Sequence, residues 1–196
     1  MAKKILIVGG LWDTEQDMAH LKKKLSVCGD VYAVGHDHAD SIILSAWDLI
    51  VAQSLGAAKL MLRDTVERPR AFLLLSPFAY FKNPALVRTI VAICKLRNKK
   101  EKFIEGKSFP IELAEQMLEM PSKLKRSPIC EFPNTHFIHS EVDETINIAA
   151  SMECFYRNHH TRRNVHVLVD ACHNLLKCWN DHDYIVKVAQ AIIKDL

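Results

Sequence analysis

Short apolar runs, each bounded by Gly, Pro or Asp, alternate with amphipathic stretches along the chain. The runs are Lys4–Val8, Val31–Val34, Leu49–Ala52, Ala71–Leu75, Thr135–Ile138 and Val165–Val169. Near-continuous Val, Ile, Leu and Phe predicts strands covered on both faces, as in a parallel sheet. Between the runs the spacing predicts helices. Thr14–Leu25 follows Asp13 as N-cap and repeats apolar residues at Met18, Leu21 and Leu25. Leu55–Arg63, Thr145–Tyr156 and Tyr184–Ile193 are further helical stretches. Strand alternating with helix predicts an α/β class protein with a mostly parallel sheet and flanking helices.

The alternation breaks between about Tyr80 and Cys130. Pro84–Arg97 and Pro110–Glu119 read as helices that open on a first-turn Pro, and neither leads directly into a strand. The expectation is a core of residues 1–79 and 131–196 with residues 80–130 inserted as a helical lid. That insertion holds eleven Lys or Arg against five Glu, a local excess of +6 where the whole chain carries +3. A run of Lys and Arg is usually a solvated helix face. Its functional reading is a docking surface for an acidic partner or a negatively charged substrate, with Lys99, Lys100 and Lys102 at its centre.

A chain of 196 residues suits one domain that carries an insertion. With 49% apolar and 25% charged residues, disorder is excluded for the bulk of the chain. A net charge of +3 does not argue for nucleic-acid binding. No apolar run nears the roughly 18 residues of a membrane helix. The apolar Ile5–Val8 stops at Gly9-Gly10, short of a signal peptide. The expectation is a cytoplasmic protein without membrane association. None of the six cysteines (Cys28, Cys94, Cys130, Cys154, Cys172, Cys178) forms a C-x-x-C pair, so the expectation is free thiols in a reducing compartment.

The segment Asp48-Leu49-Ile50-Val51-Ala52-Gln53-Ser54-Leu55-Gly56-Ala57-Ala58 carries the first chemistry. An apolar strand runs into Ser54, small residues stand two before and two after it, and a helix follows. A nucleophile on a sharp strand-to-helix turn needs this pattern, because strand and helix approach too closely for large side chains. Ala52 replaces the usual first Gly. The second segment, Thr135 to Ile146, is a strand, a polar turn holding Asp143, and a helix. Glu141, Glu144 and Asp170 are rival acids, but Glu144 starts the helix, Glu141 falls early in the turn and Asp170 adjoins the strand that delivers His173. The third segment, Val165 to Leu176, is a strand followed by Ala171, Cys172 and His173. All three candidates follow the carboxyl ends of strands, where sites form in open α/β sheets.

With these residues in the order Ser, Asp, His, the chain resembles the α/β-hydrolase superfamily, shortened at the N-terminus so that Ile5–Val8 corresponds to the strand usually counted third. The resemblance covers most of the chain outside the insertion. It implies an ester-cleaving serine hydrolase without a cofactor. Ser54 matches the elbow serine, Asp143 the acid (with Ser140 in place of the usual Gly), and His173 the histidine. Gly9-Gly10-Leu11-Trp12 resembles the family's H-G-x loop, with Gly9 replacing His. The backbone N–H groups of Leu11 and Leu55 are then the oxyanion donors, and Trp12 and Tyr80 the pocket candidates. A small member with a basic lid resembles the pimeloyl-acyl-carrier-protein methyl ester esterases of biotin synthesis, which implies an acyl ester on an acidic carrier protein. Ester, thioester and amide stay open, simple esters being the expectation.

Two other classes compete. His36-Asp37-His38-Ala39-Asp40 fits the H-x-H-x-D part of a metallo-β-lactamase-type site, but Ser41 stands where another His should follow. Its bland reading is a surface loop after the second strand. A nucleotide site has little support, since Gly9-Gly10 lacks G-x-G-x-x-G. A non-catalytic binding protein on the same fold is the other alternative, and the presence of all three candidate residues argues against it.

Overall fold

The computed structural model describes residues 2–63, 67–104, 107–124, 126, 134–151 and 164–196. Six strands form one parallel sheet: β1 (Lys4–Val8), β2 (Asp30–Val34), β3 (Leu49–Gln53), β4 (Ala71–Leu75), β7 (Thr135–Ser140) and β8 (Val165–Leu168). Their spatial order is β2-β1-β3-β4-β7-β8. The predicted strands are all present, with ends that shift by two residues at most.

Alternate residues of each strand enter different layers, as the pleat requires. On one face Ile5, Ile7, Leu49, Val51, Leu73 and Leu75 pack with Met18, Leu21 and Leu25 of α1 (Glu15–Leu25) and with Ile185, Ala189 and Ile192 of α5 (His182–Lys194). On the other face Leu6, Val8, Ile50, Ala52, Phe72, Leu74 and Phe137 pack against α2 (Ser54–Met61) and residues further along the chain. Both layers are dry, which is why β3 and β4 are apolar at nearly every position rather than alternating. The helix expected over Thr145–Tyr156 begins later, at residue 148, after the Asn147 side chain accepts from Ala150 N–H; its expected end, like Cys130 and Cys154, lies outside the described residues.

Asp13 is not the cap of α1. Thr14 occupies that position, and its hydroxyl and the Asp17 carboxylate form a reciprocal capping box. The stretch expected to be all helix is more varied. It comprises α3 (Pro84–Leu96), an antiparallel hairpin of β5 (Glu101–Ile104) and β6 (Lys107–Pro110), and α4 (Ile111–Leu124). Pro110 closes the hairpin opposite Glu101 instead of opening the helix. The free-thiol expectation also changes: Cys172 and Cys178 form a disulfide, because the loop after β8 folds back to bring their Cα atoms within 6.5 Å. Among the described residues no helix is long and apolar enough to cross a membrane.

His139 lies fully buried in β7. Burial, together with the neighbouring His173 and against the pull of Asp143, pushes its ring down to about 4. An unfolded histidine titrates near 6.5. Between these values the unfolded chain takes up a proton that the native protein refuses, so stability is lost as pH falls from about 6.5 towards 4. This group should remove about 2 kcal/mol at pH 5 relative to pH 7.5. Urea melts across that range should show the loss, and His139→Gln should flatten it; an unchanged slope would assign the titration to another group.

Candidate active site

β3 ends at Gln53 and α2 begins at Ser54, so the chain reverses from strand to helix with no loop. Ser54 takes φ +46°, a left-handed conformation that a non-glycine residue holds only when its surroundings dictate it. The crossing is tight. A Cβ on Gly56 would lie 2.3 Å from the Gly9 carbonyl oxygen and 3.0 Å from Val8 Cγ1, so only glycine fits there. The smallness of Gly56 in the sequence has this contact as its cause.

Ser54 Oγ lies 3.0 Å from His173 Nε2, and His173 Nδ1 lies 2.7 Å from Asp143 Oδ2. The three side chains come from the ends of β3, β7 and β8. The other oxygen of Asp143 accepts the N–H groups of Thr145 and Ile146, each at 2.8 Å. Burial would raise the Asp143 pKa, but the hydrogen bond and charge of His173 and these two N–H groups outweigh it, holding the carboxyl below its ordinary value. Asp143 thus stays ionised at neutral pH. Glu141 and Glu144 are exposed, and Asp170 sits in a separate left-handed turn at φ +60°. Such a chain of groups can take a proton from the serine hydroxyl and stabilise the resulting imidazolium.

The loop Gly9–Trp12 lies beside the turn. Leu11 borders the cavity, and Leu55 is buried as the second residue of α2. Among the described residues neither backbone N–H donates to a protein acceptor. The first N–H groups of a helix have no intrahelical partner, and the helix dipole adds positive potential there.

A cavity of about 400 Å³ opens on Ser54 and His173. Trp12 lines it, bonded through Nε1 to the Ser108 carbonyl at 3.0 Å and packed edge-on against Phe109. Tyr80 does not. It faces a neighbouring groove with Pro84, Arg88 and Leu118, while Phe78 and Phe81 take the wall beside the serine. Lys107 also reaches the cavity, its Nζ 5.6 Å from the Trp12 ring centroid. Lys99 and Lys102 line a different surface groove, between α3 and the hairpin, and Lys100 is exposed beside it. The sequence reading missed Gln53, whose Nε2 donates to the His173 carbonyl at 3.0 Å, and the site-facing roles of Asp13 and Asn174. Their signal was position alone, next to residues already singled out.

The His36–Asp40 stretch forms a short 3₁₀ helix, with His38 set against Asp37 and Asp40 directed to another groove. Among the described residues no group of three or more His, Cys, Asp or Glu is placed to hold a metal ion. The residues of the alternative metal site, His36, His38 and Asp40, are not part of such a group among the described residues.

No family model matches the sequence, and no curated protein matches it. Solved structures do. The chain is similar to a monoacylglycerol lipase from Paleococcus ferrophilus (15% identity, 96% of this chain and 94% of the other, TM-score 0.70). It is similar to a soluble variant of monoglyceride lipase from Saccharomyces cerevisiae (9% identity, 100% and 87%, TM-score 0.71). It is also similar to a thermophilic esterase from Thermogutta terrifontis (13% identity, 100% and 90%, TM-score 0.62). The fold is that of the α/β-hydrolases.

The tightness of the turn is open to a direct check. Gly56→Ala should destabilise the protein by about 2 kcal/mol or more in urea melts, since the clash is with backbone and not with a mobile side chain. A cost within error of zero would mean that the first turn of α2 and the Gly9 loop can separate freely.

Proposed function

From the α/β-hydrolase fold and the Ser54–His173–Asp143 arrangement we propose that the protein is a serine hydrolase that cleaves carboxylic esters. The observation that carries this reading is Ser54 Oγ within 3.0 Å of His173 Nε2 on a strand-to-helix turn, with His173 bonded in turn to a buried carboxylate. Oγ attacks the ester carbonyl while His173 Nε2 takes its proton. Asp143 fixes the imidazole tautomer and stabilises the imidazolium. The N–H groups of Leu55 and Leu11 receive the developing oxyanion. As the carbonyl reforms, the leaving alkoxide departs with the proton from His173, and an acyl group remains on Ser54. Water, deprotonated by His173, then releases the acid and restores the serine.

The finer reading is that the acyl group is a methyl ester carried on an acidic acyl-carrier protein, as in biotin synthesis. Residues 80–130 form the lid of the site in this reading. Support comes from the cationic excess of that stretch, from Lys99, Lys100 and Lys102 on the outer groove, and from Lys107 at the cavity. A carrier would deliver its acyl chain past Trp12 and Phe109 towards Ser54.

A fluorophosphonate probe should label the wild-type protein at Ser54. Ser54→Ala should abolish labelling and lower turnover of short p-nitrophenyl esters by roughly 10⁴-fold or more. Absence of both activities in wild type would sink the hydrolase reading. Charge reversal at Lys99, Lys100 and Lys102 together should lower kcat/KM for a carrier-linked methyl ester by about 10-fold or more while sparing a small ester. Equal effects on both substrates would remove the carrier protein from the account.

A further inference from the structure

We infer that Asp13 is a positioning residue that holds the two halves of the site together, an inference that rests on the serine-hydrolase reading. Its carboxylate is fully buried. Oδ2 accepts the backbone N–H of Gly10 at 2.6 Å, and Oδ1 accepts the side-chain amide of Asn174 at 2.6 Å. Gly10 immediately precedes Leu11, the proposed oxyanion donor. Asn174 immediately follows His173, the proposed base. One side chain therefore joins the loop after β1 to the loop after β8, positions 161 residues apart in sequence.

The chemistry favours a carboxylate at this point. Two donors converge from opposite loops, and a carboxylate offers an acceptor oxygen to each. An amide would turn an N–H towards one of them. Bonds to an ionised acceptor are also roughly twice as strong as neutral ones. Lys177 Nζ stands 3.7 Å from Oδ1 and 3.6 Å from Asp17, so the buried charge has a cation nearby, carried by the same loop as His173. Capping of α1 does not require Asp13, since Thr14 and Asp17 perform it.

Packing around the link is close. A Cβ on Gly10 would fall 3.1 Å from Asp13 Oδ2 and 3.1 Å from Ser54 Cβ, so the loop passes between carboxylate and serine with little room for a side chain. On the other side Gln53 Nε2 holds the His173 carbonyl at 3.0 Å. His173 is thus tied to the serine turn through Gln53 and to the oxyanion loop through Asn174 and Asp13. Displacing either loop by a fraction of an ångström would separate the base from the donors it must act with.

The test compares Asp13→Ala, Asp13→Asn, Asn174→Ala and the Asp13→Ala/Asn174→Ala double variant. On a p-nitrophenyl ester kcat should fall roughly 10- to 100-fold in the Asp13 variants with KM unchanged. The double variant should be no slower than Asp13→Ala, because both changes cut the same link. A second readout needs no turnover: the low-field proton resonance of His173 Nδ1–H in its bond to Asp143 should be sharp in wild type and broadened or lost in Asp13→Ala. If Asp13→Ala does not fold, Asn174→Ala, which spares the Gly10 bond, carries the same comparison. Retention of both kcat and the resonance overturns the inference, even with a lowered melting temperature. If wild type cleaves no ester at all, the resonance alone decides the positioning role, and the hydrolase reading fails separately.

Discussion

The close crossing of β3–α2 over the end of β1 is the constraint on which the site depends. Gly56 meets the Gly9 carbonyl where no side chain fits, and Ser54 is left on the inside of the bend at φ +46°. Backbone strain of that kind costs of order 1–3 kcal/mol and persists only when the surroundings hold it. Here the surroundings are the buried Ile5–Val8 of β1 and the fully buried β3 below the turn, with Phe78 N–H bonded to the Ser54 carbonyl at 3.1 Å above it. Because the sheet is parallel, the ends of β7 and β8 arrive on the same edge, and Asp143 and His173 need only short loops to reach the serine. The sheet thereby brings together three side chains that lie up to 119 residues apart in the sequence.

What could be read from the sequence was whatever the buried sheet imposes on its residues. A strand covered on both faces must be apolar throughout, so β3 and β4 announce themselves. The turn at Ser54 needs small neighbours, so Ala52 and Gly56 mark it. The hairpin β5–β6 leaves no such mark. Its four-residue strands, Glu-Lys-Phe-Ile and Lys-Ser-Phe-Pro, lie outside the main sheet, and their polar residues read equally as a helix-flanking loop. The disulfide was hidden because the spacing of Cys172 and Cys178 matches no redox or metal motif, and only the fold of the loop brings them together. Asp13 and Thr14 are both good N-caps, and sequence alone does not choose between them; the structure gives the cap to Thr14 and frees Asp13 for a long-range bond. Tyr80 and Phe81 differ by one step along the chain, yet Phe81 borders both the cavity and the next groove while Tyr80 borders the groove alone.

The acid and the base are held by different means, and that difference shapes the chemistry available to the site. Asp143 is fixed by its own turn: two backbone N–H groups take one oxygen and leave the other for His173. This arrangement, with the His173 bond, holds the carboxyl below its ordinary value in a buried place that by itself would raise it. His173 is held partly by its own loop, where its carbonyl accepts the N–H of Leu175 at 3.1 Å and the preceding Cys172 is bonded to Cys178, and partly from elsewhere. Its backbone carbonyl is held by Gln53 and its successor by Asp13, both from the other side of the cleft. Asp143 is therefore fixed within β7 and its turn, whereas His173 is placed by its own loop together with contacts from across the cleft.

In the proposed reaction, bond cleavage and recognition draw on different parts of the chain. The triad residues and the turn that presents Ser54 come from the sheet and its loops. The cavity wall opposite them is built in part by Lys107, Phe109 and Met117, from the hairpin and α4. These two parts meet at Trp12, which bonds to the Ser108 carbonyl and packs on Phe109 while sitting three residues beyond Gly9. Changes in the hairpin can reshape the cavity wall without touching the hydrogen bonds among Ser54, His173 and Asp143. An α/β-hydrolase fold can in this way keep one reaction and vary its substrates, because the residues that choose the substrate are not those that hold the proton.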